Sequence, residues 1–466
     1  MRAFAIFAFL WALSALFDLI PRAAWLDSPA HFFLAASAVV VVLQPSSRLA
    51  FAVFNVLRLV AFVTDSPDTP NHQVLFALGS ASILWTGLAH AWQTTRERSG
   101  SPFRISGEAW LRAFAPVLRA ELVLLYFFAV LHKLNWAYFD PSVSCALHTL
   151  SRLTQAPFKP WIPEGEAAQL LVIFGSLAIE ASVPVLLCIP RTRMWGVILG
   201  FIFHGFLGLG YFHFSTGVIA LLILFIPTSA LDHAFGRLEA WRTRQSWRRW
   251  LTREWVPGLI SLGLVLAMVE MREIDRIGYR MLRLVWLAGV VCFLLFLLGT
   301  RQGWSSWRGA APGRLRDARL VLIFPLLLFF LGLSPYLGLR TVPASSMFSN
   351  LRTEGGVTNH LFMPARALRV ASYQEDLVEI EAASDPGLRR WARQGSARVF
   401  YDLQRQIQEM AAGGETDIAI RFLRSGRRYD LGSAELNPEL TAPHSWLDRK
   451  WLAFRPVPGE RPPCSW

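Results

Sequence analysis

The stretch Leu125–Asn135, LYFFAVLHKLN, decides the reading of this chain. It is the far end of an apolar run that begins near Val117, and it places His132 and Lys133 side by side there. A lysine that deep in an apolar segment is costly, and costly intramembrane charges mark function. The chain has three lysines, Lys133, Lys159 and Lys450, against 46 basic residues in all, so its positive charge is almost entirely arginine. Arginine keeps its proton near neutrality, whereas a desolvated lysine can release it. Lys133 is the only lysine inside a candidate span, which fits a proton-transfer group; snorkelling to an interface is the competing reading.

Outward from that stretch, the composition fixes the class. Of 466 residues, 53% are hydrophobic, and apolar runs of about 15–20 residues recur along the first 335. The chain therefore reads as an all-α polytopic membrane bundle with about eleven candidate spans, between about nine and eleven once short runs are discounted. They lie near 3–20, 30–43, 48–63, 73–92, 117–136, 168–189, 195–211, 214–229, 256–271, 282–299 and 319–335. The first has no small-residue cleavage site before Asp18–Pro21, so it is expected to be retained rather than removed as a signal peptide.

The net charge of +13 does not indicate nucleic acid, because the arginines cluster in short loops between apolar runs. Linkers 93–116, 190–194, 230–255 and 300–319 carry them, and all four fall on one side if the spans alternate. The opposite loop 64–72 has Asp65 and Asp68 and no basic residue. By the positive-inside rule the N-terminus is cytoplasmic and the C-terminal tail lies outside, periplasmic or lumenal. Lys133 and His72 then sit near the outer end of their spans. His213 joins them in the short turn GYFHF (210–214) between the seventh and eighth spans, with His204 inside the seventh. Cys145, Cys188, Cys292 and Cys464 show no zinc spacing, and no metal ligand set is expected. Cys145 and Cys464 both fall outside, where a disulfide is open to them but not required by their spacing.

Domain 1–335 gives way to an exterior domain 336–466. There the apolar runs end, LVEIEAA (377–383) alternates as a strand, and ARVFYDLQRQIQEMAA (397–412) has helical spacing. DIAIRFLRSGRRYDL (417–431) reads as a hairpin about Ser425–Gly426, and the end near 456–463 as a loose Pro-rich segment. The tail is thus a small α+β domain. SMFSNLRTEGGVTNHLF (346–362) either covers the membrane site or connects bundle to tail.

YFFAVLHKLN (126–135) resembles the motif of the horizontally transferred transmembrane domain (HTTM) family, which includes vitamin K-dependent γ-carboxylase. TPNHQVLFALGS (69–80) is similar to its Asn-His pair opening a span, and FIFHGFLGLGYFHFSTG (201–217) to its later histidine. The sequence departs from the pattern at Val130, where glycine is usual, at His132, and in the early Trp136. The resemblance implies a catalytic role for Lys133, His72 and His204, with Asn71, Tyr126, Phe128 and His132 around the cofactor. It implies a reduced naphthoquinone of the vitamin K or menaquinol type, with oxygen and carbon dioxide as co-substrates. A neutral lysine would deprotonate the quinol, and the strong base formed with oxygen would drive carboxylation of a peptide glutamate, a lyase reaction. The aromatic residues Tyr126, Phe127, Phe128 and Trp136 suit a quinone ring or, equally, packing and lipid. The expected partners are membrane lipid and a secreted peptide. The alternative is a non-enzymatic factor for maturation or export of such a peptide. A transporter is disfavoured because the ionisable groups sit near the outer ends of the spans rather than at the midplane. The sequence does not define the oligomeric state.

Overall fold

The computed structural model describes residues 3–20, 24–96, 105–154, 162–243, 255–274, 276–299, 322–364, 368–457 and Cys464. Lys159, the arginines of linker 300–319, Arg244, Arg248, Arg249 and Arg253 of linker 230–255, and the Pro-rich residues 458–463 lie outside them. Helices dominate, joined by one four-stranded sheet near the C-terminus. The bundle comprises α1 (Ala3–Leu19), α2 (Pro29–Leu43), α3 (Arg48–Asp65), α4 (Asn71–Arg96) and α5 (Gly107–Lys133). The short α6 (Trp136–Phe139) and α7 (Cys145–Thr154) lead to α8 (Glu166–Cys188), α9 (Arg193–Ile223) and α10 (Thr228–Thr243). It ends with α11 (Trp255–Ile274), α12 (Arg276–Leu298) and α13 (Ile323–Leu333). Five described helices are long and apolar enough to cross a membrane, and four shorter apolar ones join them.

One of the five consists of two legs. In α9 the backbone at Tyr211 leaves helical geometry (φ −140°, ψ 47°). A Cβ on Gly200 would stand 2.9 Å from Leu222, although 22 residues of straight helix span about 33 Å. His204 likewise meets Phe214, with ring centroids 5.6 Å apart. The chain therefore reverses at Tyr211, and the expected spans at 195–211 and 214–229 are the antiparallel legs of this hairpin, the second ending at Ile223. Its tip is packed tightly: a Cβ on Gly208 would collide with Trp286, whose Nε1 donates to Thr216 Oγ1 at 3.1 Å on the returning leg.

The two ends of the bundle are distinct. At one, Phe4 N donates to Glu108 Oε1, Arg48 donates to Ile105 O, and Arg119 Nε donates to Leu224 O. At the other, Arg405 pairs with Asp68, and Lys450 Nζ donates to the carbonyls of Val63, Thr64 and Ser66 at the C-terminus of α3, where a helix leaves acceptors over. The C-terminal domain thus sits where α1, α3 and α5 finish. Its sheet, order β2-β1-β3-β4, is antiparallel: β1 (Leu377–Ala383), β2 (Arg398–Val399), β3 (Ile420–Arg424) and β4 (Arg427–Leu431). The β3–β4 turn is Ser425–Gly426, both at positive φ, which matches the twist of a two-residue hairpin. Helices α14 (Pro386–Gln394) and α15 (Phe400–Ala412) accompany the sheet, and Leu403, Ile407 and Met410 of α15 enter its core.

Between bundle and sheet, the described residues of 334–376 form no strand beyond a single bridge. They lie against the end of α5. His360 Nε2 donates to Leu131 O at 2.8 Å, and its Nδ1 accepts from Phe362 N and Met363 N, which fixes the tautomer. Asn135 bridges with His360 and also donates to Ser349 O. This segment both connects bundle to tail and covers the site described next.

Candidate functional site

Helix α5 presents Leu125, Tyr126, Ala129 and Lys133 on one face, since residues three and four apart align. They wall an apolar cavity of about 340 Å³, within the size range of small-ligand pockets. α8 contributes Gly175, Ile179 and Glu180, the two legs of α9 contribute His204 and Phe214, and Met347 and Phe348 cover it. Phe348 holds left-handed backbone (φ 51°), as do Ser345 (φ 56°) and Asn350 (φ 55°). Such conformations cost a bulky side chain on the order of 1–3 kcal/mol. Here the Phe348 ring is held against Tyr211, centroids 4.9 Å apart.

Lys133 is the last residue of α5, where the helix dipole favours a cation. Its Nζ donates to Glu180 Oε2 at 2.7 Å and to Ala129 O at 3.3 Å. Both side chains are withdrawn from solvent, at 5% and 15% exposure. On the same wall Tyr126 Oη and His204 Nε2 are 2.6 Å apart, and His204 Nδ1 is buried without a hydrogen-bond partner. The Tyr138 and Ser176 hydroxyls meet at 3.0 Å beside them. The cavity is therefore an apolar chamber whose polar handles include the Lys133–Glu180 ion pair, the Tyr126–His204 pair and the Tyr138 and Ser176 hydroxyls.

The other expected site residues lie elsewhere. His132 points away from the cavity, its Nδ1 3.2 Å from Ser345 O and its Nε2 3.0 Å from Gly332 O. Phe128 is fully buried against Phe329 and Gly332, so it packs α5 on α13 rather than cradling a ring in the cavity. Trp136 and Phe127 are exposed. Asn71 Oδ1 accepts from Ala344 N at 2.8 Å and anchors the covering segment. His72 is not in the cavity wall but in a second cluster with Asp18 and His213. One ring joins the two places: Phe214 lies 6.0 Å from His72 and 5.6 Å from His204.

Sequence reasoning missed Glu180 and Asp18. The signal for Glu180 was present: it is a lone acid within the apolar run 168–189, subject to the same cost that singled out Lys133. Asp18 was read only as the end of the first span. Cys145 and Cys464 are joined by a disulfide, which ties the chain near its C-terminus to the cavity wall at α7.

Fold and site together define a polytopic helical membrane protein with a lysine–glutamate pair withdrawn from solvent in an apolar cavity between its helices. Residues 13–229 match the family model of the HTTM domain, so the chain carries that domain, one related to γ-carboxylase membrane proteins. Asp18, His72, Lys133, Glu180, His204 and His213 all fall within the matched stretch. No curated protein and no solved structure matches the chain.

Proposed function

We propose that this protein is a γ-carboxylase-like membrane enzyme whose cavity binds a reduced naphthoquinone, with Lys133 as the base that takes the quinol proton. The observation that carries the reading is Lys133 Nζ in the wall of an apolar cavity, 2.7 Å from Glu180. In so apolar a place an ion pair and its neutral form, amine beside carboxylic acid, lie closer in energy than in water, because each charge loses solvation. Glu180, 2.7 Å from Lys133 Nζ, is the partner to which the ammonium proton passes when the amine acts as base. That amine accepts a proton from a hydroxyl placed against it. The Tyr126–His204 pair offers a hydrogen bond to the oxygen at the other side of the chamber. When bound, the reduced quinone would supply, with oxygen, the strong base that removes a γ-proton from a peptide glutamate before carbon dioxide is captured.

The cavity's lining suits a lipid-soluble ring. Leu171, Ile179 and Phe206 line it while remaining exposed on the outer face of the bundle, where lipid would lie. The lining is thus continuous with the surface from which a quinone would enter. The side of the membrane follows from the same reading. The arginine-rich loops support a cytoplasmic side for the end of the bundle opposite the tail, and the Cys145–Cys464 disulfide suits an oxidising exterior for the tail. A secreted peptide would meet the enzyme there.

The test uses protein in lipid nanodiscs with reduced naphthoquinone and labelled bicarbonate. Wild type should consume quinol, and Lys133→Ala should lose about 10²–10⁴-fold of that rate, the usual worth of a general base. Wild type that leaves quinol untouched, yet still binds a secreted peptide, would overturn the enzyme reading in favour of a maturation factor.

A further inference from the structure

At the tail end of the bundle, three side chains from three separate elements converge. Asp18 lies one residue before the end of α1, His72 is the second residue of α4, and His213 follows the reversal in α9. One ligand atom from each lies within 4.8 Å of the others. His72 Nε2 is 3.8 Å from Asp18 Oδ2, and His213 Nε2 is 3.8 Å from Asp18 Oδ1. Both spacings exceed a direct hydrogen bond of about 3 Å. They approach the spacing of donors set around a common centre, since ligands about 2.1 Å from one ion stand roughly 3–3.5 Å apart. The two imidazole rings are 4.9 Å apart and tilted by 54°.

We infer that Asp18, His72 and His213 bind a divalent first-row transition metal ion of the zinc and ferrous-iron class. The donor set selects that class. Two imidazoles exclude calcium and magnesium, which take oxygen ligands, and the absence of sulfur from the set disfavours cuprous ion. A carboxylate this withdrawn from water, at 7% side-chain exposure, is stabilised by a cation beside it. Gln73 Nε2 donates to Asp18 Oδ2, the outer hydrogen bond that orients a ligating carboxylate. Three protein ligands leave a coordination position open. The His213 side chain is 20% exposed against 8% for His72, so His213 is the more accessible of the two imidazoles.

The ion fastens the end of α1, the start of α4 and the tip of the α9 hairpin to one another. Because Phe214 touches both His72 and His204, it also sets the position of one side chain in the cavity wall. The site stands whether or not the cavity handles a quinol.

The experiment is cobalt titration of purified, tag-free protein after chelator treatment, with elemental analysis of the untreated sample. Wild type should bind one Co(II) per chain, with visible ligand-field absorption, and zinc should displace it. Asp18→Asn and His213→Ala should lose the absorption, while His204→Gln, outside the cluster, should keep it. Wild-type protein with a normal thermal transition that binds neither Co(II) nor Zn(II) stoichiometrically would overturn the assignment, and this measurement depends on no variant. Undiminished binding in both cluster variants would overturn it as well. Neither readout depends on quinol turnover.

Discussion

Replacing Glu180 by leucine leaves Lys133 facing an apolar cavity with no counter-charge. Removing one partner of a buried pair costs about 3–5 kcal/mol, because the charge left behind stays desolvated. Glu180 is 15% exposed, so the lower end, about 3 kcal/mol, is expected. Lys133→Met strands the carboxylate in turn and should cost a similar amount. The double variant removes both charges and fills their space with apolar atoms, so it should fall within about 1 kcal/mol of wild type. The coupling between the two positions is then about 5 kcal/mol or more, against an average of roughly 0.6 kcal/mol for hydrogen bonds between membrane helices. Unfolding of the four proteins in mixed micelles measures it. A coupling under about 1 kcal/mol would mean that the pair is hydrated and the lysine is not held in a dry wall. The case for Lys133 as a base would then fail.

Two further outcomes follow from the packing and from the tail. Gly332→Ala should cost about 1–3 kcal/mol, since the new Cβ meets the Phe128 ring where α13 crosses α5. Phe128→Leu in the same chain should recover part of the lost thermal stability, and no recovery would place the strain elsewhere. Asp402, buried in α15, has its pKa raised to about 7 chiefly by burial, with Arg405 and Arg398 pulling it down. Since its unfolded value is about 3.9, the folded chain binds the extra proton, so this contribution is complete below about pH 4 and is lost as pH rises through 7. The melting temperature of wild type relative to Asp402→Asn should fall across that window, and a constant difference would show that Asp402 is ionised in the fold.

Much of the architecture was legible because each element announces itself locally. Apolar run length marks the spans, GYFHF (210–214) marks a turn between two of them, and alternation about Ser425–Gly426 marks the hairpin. Lys133 was legible for a similar reason, as a lone charge in an apolar run. What the sequence could not supply was the arrangement of helices around the bundle. A residue's position in its own run fixes its depth, and Lys133, His72, His204 and His213 do lie toward the same end of the bundle, the one that carries the C-terminal domain. It does not say which helices are neighbours. Thus Lys133 and His204 share the cavity, whereas His72 and His213 turn to Asp18. Phe128 and His132 fall outside the cavity for the same reason: they lie on the face of α5 that packs against α13 and the covering segment.

The bond between Cys145 and Cys464 has a consequence for the order in which the protein is made. Cys145 stands in the cavity wall, but its partner is synthesised 319 residues later. The spans can therefore be inserted while that wall is still unlocked. The tie between the wall and the tail can form only once residue 464 has been synthesised, so it is a covalent contact made after every span of the bundle.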